Sequence, residues 1–404
     1  MAINRIFNKA DLPLEVAILL IAGLMMLITG ILLFPVSTGA LPYCENGLYG
    51  LLLFIFALQI VTLGKTPFGD MSRSMLLVII GVLIAAVGIV TCFIPDLLSQ
   101  VPRILLFICF APGGFLLLLQ MFLSQEKLRT WIKYGGIFKH LIMGCGAVYV
   151  LSIIIGLLIL IHNLLSIAMT AVVGLIFGIA IIYLALVLRK IYLTYPEAEN
   201  TNPGTVELST DKMMLLITGV FMLLLGALLI PVNLGQLPFS GSAQLGLLMI
   251  IFAIQMLASG STPIGPFPRN WLIIIFGLLF AALGIISSII PGILVKPLTI
   301  LIGVLNILGG CITLVKTLLP RLKKPQKSGG QVPSILQKLF VTQLIMGFLS
   351  ILFGSSMLVS HFLPGLIVGV VLFANGCVLM YLMLILLTLD KMISQKAEMS
   401  DTSS

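Results

Sequence analysis

The chain has 404 residues, of which 60% are hydrophobic and only 9% charged, with a formal net charge of +9. Soluble domains carry nearer a quarter charged residues, so this composition excludes a soluble enzyme or binding module. One span takes about 20 apolar residues, and the apolar stretches here make room for about twelve, which also excludes a soluble domain on a single anchor.

Apolar runs between punctuating Gly, Pro and charge place spans near 14–35, 46–64, 74–95, 102–123, 140–161 and 164–188. A second set falls near 213–231, 243–260, 270–290, 297–318, 338–361 and 365–388. The first run lacks an A-x-A cleavage site and is expected to be retained as a helix, with residues 1–12 along the inner surface. The break at His162–Asn163 reads either as a turn or as a kink in one long helix. With the N-terminus inside, only Arg103 and Lys296 of the 22 Lys and Arg residues fall on the outer side. That asymmetry predicts an inner-membrane protein with both termini cytoplasmic. It also accounts for the positive charge by topology and by attraction to anionic lipid headgroups, without nucleic acid.

Shifting the chain by 196 residues superposes 23–95 on 219–291 without a gap, with about 33 of 73 positions identical. Each copy holds six spans, an even number, so the copies enter the membrane in the same direction as parallel repeats about a pseudo-twofold axis. The predicted organisation is a first six-helix repeat over 1–193, a polar cytoplasmic linker over 194–211, a second repeat over 212–392 and a disordered tail over 393–404. Within each copy Gly23-x6-Gly30-x4-Pro35 recurs as Gly81-x6-Gly88-x6-Pro95, then as Gly219-x6-Gly226-x4-Pro231 and Gly277-x6-Gly284-x6-Pro291. A looser copy, Gly347-x6-Gly354, precedes Pro364. Glycines seven apart share a helix face, where small residues let backbones approach in lipid, so each repeat reads as three helical hairpins. The fold class is therefore all-α, a polytopic membrane protein.

An apolar hairpin with spaced glycines and a proline closing its first helix, repeated three times over about 190 residues, resembles the HdeD-type acid-resistance membrane proteins, here doubled. Gly23, Gly30, Pro35 and Gly64, then Gly81, Gly88 and Pro95, carry the resemblance with their second-copy counterparts. The third hairpin departs from it, with His162 where proline is expected. The resemblance implies a stress- or acid-tolerance protein without catalysis.

Neither the metalloprotease, serine-hydrolase nor phosphate-loop motif is present, and the six cysteines lack CxxC spacing. No enzymatic activity, cofactor or metal is expected. Ionisable residues are nearly absent from the spans, which argues against a carboxylate-driven pump. The most specific polar pattern is Gly64-x-Thr66-Pro67-x-Gly69-x3-Arg73, repeated as Gly260-x-Thr262-Pro263-x-Gly265-x3-Arg269. An Arg at a helix start is disfavoured by the dipole unless an anion is bound, so Thr66, Arg73, Thr262 and Arg269 are candidates for holding a lipid headgroup or a soluble anion. Gln59 and Gln255 are candidates for interhelical hydrogen bonds or a pathway lining, since glutamine facing lipid is costly. His162 and His361, at the outer ends of their helices, are candidate pH-sensitive groups.

Three readings of function follow from these features. The first is a non-enzymatic HdeD-like protein of membrane or acid-stress physiology. The others are a transporter of a small neutral solute with a site between the halves, and an accessory subunit binding a membrane-protein partner or a second copy. A polar central cavity would favour transport, and a dry filled core the first reading.

Overall fold

The computed structural model describes residues 12–71, 73–124, 129–161, 164–196, 209–323, 334–359 and 362–401. Residues 1–11 of the expected surface segment 1–12, most of the linker, and both His162 and His361 lie outside the described residues, while Leu12 is buried.

The helices run α1 Leu14–Ser37, α2 Glu45–Leu63, α3 Met75–Phe93, α4 Val101–Leu123, a short α5 Thr130–Tyr134, α6 Ile137–Leu160 and α7 Ile167–Thr194. The second copy supplies α8 Thr210–Asn233, α9 Gly241–Ser259, α10 Trp271–Ile289, α11 Val295–Lys323, α12 Ser334–Leu358 and α13 Gly365–Asp401. Among the described residues twelve helices, all but α5, are long and apolar enough to cross a membrane. The only strands described are two-residue ladders, β1 Lys65–Thr66 with β2 Gly69–Asp70 and β3 Ser261–Thr262 with β4 Gly265–Pro266. The chain is an all-α polytopic membrane protein.

Local chemistry sets the helix ends. Gly64 and Gly260 close α2 and α9 in the left-handed region, at φ 68° and 72°, a conformation that costs glycine little. Ser74 and Asn270 then open α3 and α10 by accepting from the amides of Leu77 and Ile273. At the chain's end α13 continues to Asp401, where a disordered tail is expected from 393. No Gly or Pro interrupts 391–401, and Lys, Gln, Ala, Glu and Met there are good helix formers.

By packing, the chain divides into two compact units that do not coincide with the two copies. One holds α1 to α7 together with α9 and α10; the other holds α8 and α11 to α13. Of the three hairpins expected in the first copy, α6 with α7 packs together, but the first two do not set the packing. Within the first unit the most extensive pairings are α1 with α7, α2 with α3, α9 with α10 and α4 with α6, whereas α1 with α2 and α3 with α4 touch little. In the second unit α8 lies along α13, as α1 lies along α7.

Glycine explains these partners. A Cβ on Gly30 would lie 2.8 Å from the Leu175 nitrogen, and one on Gly88 2.8 Å from the Gly50 carbonyl oxygen. One on Gly226 would lie 2.7 Å from the Gly369 oxygen and one on Gly284 2.5 Å from the Gly246 oxygen. The second glycine of each of the four repeated pairs therefore sits at a close backbone contact with the neighbouring helix, where small residues let helices approach. Outward, α3 presents Met75, Leu76, Ile79 and Leu83, each more than half exposed, a surface suited to lipid.

Candidate functional site

The first unit contains a seam where α2 and α3 of one copy meet α9 and α10 of the other. Two hydrogen bonds at its end exchange under the 196-residue shift: Cys44 N donates to Ile289 O at 2.8 Å, and Ser240 N to Phe93 O at 2.9 Å. Such reciprocity is what parallel repeats about a pseudo-twofold axis require. The Phe93 and Phe239 rings stack beside it, 6.2 Å apart.

Polar groups in the seam are satisfied within it. Ser242 Oγ donates to Ser287 O at 2.6 Å, Ser287 Oγ to Ser242 O at 2.9 Å, and Ser288 Oγ to Gly284 O at 2.9 Å. A Cβ on Gly47 would collide with the Ser288 carbonyl, and one on Gly50 would lie 2.5 Å from the Gly88 oxygen. The two most buried spans are α9 and α2. Among the described residues the seam is closely packed, and its serine hydroxyls are bonded to backbone carbonyls.

At the opposite, basic end of the helices each copy builds the repeated Gly-x-Thr-Pro pattern into the same tight turn. Thr66 Oγ1 donates to Gly69 O at 2.7 Å and accepts from Phe68 N at 3.3 Å; Thr262 Oγ1 does the same with Gly265 O and Ile264 N, at the same distances. Both hydroxyls thus close their own turns. The turns rest on glycines further along the chain. A Cβ on Gly113 of α4 would lie 2.8 Å from the Pro67 oxygen, and one on Gly309 of α11 would strike the Pro263 oxygen. Gln120 Nε2 donates to Phe68 O at 3.0 Å, and Lys316, 196 residues on, approaches Gly265. This docking is hard to read from the sequence because α4 and α11 share few identities at the 196-residue offset. The Gly113-Gly114 and Gly309-Gly310 pairs, at the same offset, were the available signal.

Arg269 resolves the expected conflict at the helix start by reaching backwards. Its Nη1 donates to Ala258 O at 3.1 Å, in the last turn of α9, and to Leu12 O at 3.0 Å. A helix C-terminus is where the dipole favours a cation. The Arg73 stem passes over Gly64 as the Arg269 stem passes over Gly260. Beside Arg269, the Arg189 guanidinium stacks 4.8 Å above the Trp271 ring. Gln59 and Gln255 are half-buried on α2 and α9.

Two further contacts at this end tie the first helix of a copy to its sixth. Glu15 on α1 pairs with Lys65 at 2.5 Å and accepts from Tyr192 on α7 at 2.5 Å. In the second unit Lys212 on α8, only 8% exposed, pairs with Asp390 on α13. The residue types differ, but each pair ties the same two helix positions. Away from the basic end, Arg103 donates from Nε to Ile159 O at 2.6 Å and from Nη2 to Leu160 O, holding the last carbonyls of α6. One of the two basic residues predicted on the outer side thus has a structural task there.

Among the described residues no group of three or more His, Cys, Asp or Glu is placed to hold a metal ion. No family model, curated protein or solved structure matches the chain. What the fold and its ends define is the class: an integral membrane protein of twelve apolar helices, built by internal duplication.

Proposed function

We propose that the chain is a non-enzymatic membrane protein of HdeD-like type, acting in membrane or acid-stress physiology. It resides in the inner membrane with the basic loops and both termini in the cytoplasm, among anionic lipids. On this reading it is a packed scaffold and no conduit. The single observation that carries the reading is the seam of the first unit. There the repeats meet through the reciprocal backbone bonds and the close approach of Gly47 to the Ser288 carbonyl, and the serine hydroxyls bond to carbonyls within the seam instead of lining a polar path.

Cys92, buried in the seam, tests it. In membranes from cells expressing the full chain, Cys92 stays unmodified by small water-soluble thiol reagents from either side, while exposed Cys377 serves as the positive control in detergent. Brisk modification of Cys92 would instead demand a hydrated pathway and return the transporter reading. The physiological half is tested by acid challenge of cells lacking the protein, complemented by wild type or by Gly284→Leu. Equal survival of all strains would remove the stress role.

A further inference from the structure

The α12–α13 pair of the second unit encloses a groove of about 560 Å³ at the basic end of these helices. Val341, Ile345 and Val378 form its walls, and Ser334, Lys338 and Tyr381 stand along it. From Ser334 to Ile345 the helix rises about 16 Å, roughly half of a 30 Å hydrocarbon core and so the depth of one leaflet.

The chain contains its own comparison. Gly178 and Gly376, 198 residues apart, occupy equivalent places, since a Cβ on either would lie 2.6 Å from the nitrogen of Leu27 or Leu223 respectively. The fifth helices follow the same offset, Gly114 meeting the Tyr149 oxygen as Gly310 meets the Gly347 oxygen. That offset makes His140 and Tyr183 the counterparts of Lys338 and Tyr381. In the first copy the corresponding space is shut. His140 Nδ1 and the Tyr183 hydroxyl share a hydrogen bond of 2.7 Å, above a packed cluster that includes Leu141, Cys145 and Leu184.

Gly144 stands at this place, and a Cβ on it would already reach ordinary contact with the Tyr183 ring at 3.4 Å, so that a bulkier side chain would have to find room beyond it. The second copy has Thr342 at this place, its hydroxyl turned back to Lys338 O at 2.8 Å. A β-branched side chain stands in the groove lining in place of glycine, and a lysine in place of the histidine brings an amine to its opening.

From this we infer that the α12–α13 groove is a binding site for one anionic glycerophospholipid of the leaflet at the basic end. An acyl chain lies along Val341, Ile345 and Val378, and the phosphate sits between Lys338 Nζ and the Tyr381 hydroxyl. Charge complementarity selects the headgroup, and the apolar wall of leaflet depth selects a lipid over a free anion.

Native mass spectrometry of the purified full chain, incubated with phosphatidylglycerol or phosphatidylcholine, tests the site. Wild type retains one more phosphatidylglycerol than phosphatidylcholine. Lys338→Ala lowers that retention about fivefold, the effect of one lysine near an anionic headgroup, and Lys338→Arg restores it. Ile345→Trp fills the wall and abolishes it. Equal retention of the two lipids by wild type, or undiminished retention by Lys338→Ala or by a folded Ile345→Trp, overturns the assignment. A second measurement needs no groove variant: exposed Cys377 lines the groove, and its alkylation, read by peptide mass in delipidated protein, slows on adding phosphatidylglycerol. An alkylation rate unchanged by that lipid, or slowed equally by phosphatidylcholine, overturns it as well.

Discussion

Replacing Gly284 by alanine and, separately, Gly146 by alanine puts the packing argument to a quantitative test. Both glycines lie inside long helices, where alanine is intrinsically favoured by up to about 1 kcal/mol. At Gly146 the nearest atom to a new Cβ is the Met121 methyl at 3.8 Å, an ordinary contact, so most of that gain is realised. At Gly284 the Cβ would lie 2.5 Å from the Gly246 oxygen, 2.9 Å from Ile250 Cγ1 and 3.1 Å from Met249 Cβ. The Ile250 tip can rotate away, but the carbonyl is held in the α9 backbone and falls 0.9 Å short of the 3.4 Å at which ordinary contact begins. The helices must part along the seam, an overpacking cost of about 1–3 kcal/mol that outweighs the propensity gain. Gly284→Ala is therefore expected to be less stable than Gly146→Ala by about 1–3 kcal/mol, read from thermal and denaturant unfolding in one mild detergent. If Gly284→Ala is as stable as Gly146→Ala, α9 and α10 do not meet through these glycines and the account of glycine-set helix pairing fails.

Arg269→Ala removes two hydrogen bonds from a charged donor and is expected to lower stability by about 1–2 kcal/mol, with faster proteolysis at Leu12; an unchanged cleavage rate there would show the contact to be unimportant. Arg103→Ala strips the donors from the Ile159 and Leu160 carbonyls and should cost about 1 kcal/mol, visible as faster amide exchange at the end of α6. Exchange confined to wild-type rates there would count against a capping role. Glu15→Gln loses the pairing with Lys65 but keeps a hydrogen-bond acceptor for Tyr192, so its loss, below about 1 kcal/mol because Lys65 is partly exposed, should exceed that of Tyr192→Phe only at low salt. For topology, Asn200→Cys on a cysteine-free background should resist an impermeant thiol reagent in intact cells; reaction there would invert the proposed orientation.

The sequence foretold the twelve spans, the exchange of small residues along single helix faces and the paired turns at Thr66 and Thr262, because each is written in local periodicity or in a motif repeated at fixed offset. Which helix a glycine stripe faces is a different kind of information. Gly23 and Gly30 sit seven apart whether they meet α2 or α7, and only the fold shows that the partner is the sixth helix of the copy. Arg269 was misleading for a related reason: position at a helix start says where its Cα lies, while a long side chain serves carbonyls eleven residues back and in the segment before α1. The docking of Pro67 and Pro263 onto Gly113 and Gly309 was available at the 196-residue offset, but divergence between α4 and α11 hides it from a search for gapless identity.

The reciprocal bonds between Cys44 and Ile289 and between Ser240 and Phe93 bear on how the chain is made. A ribosome that has released the first six spans has yet to deliver Ile289 to the Cys44 amide and Ser240 to the Phe93 carbonyl, which arrive with α9 and α10 about a hundred residues later. Completion of the earlier copy is thus a late event in biogenesis. An emerging chain has to be kept from degradation or mispairing over that interval, and a gene split at the linker should give a first fragment that persists only when the second is produced beside it.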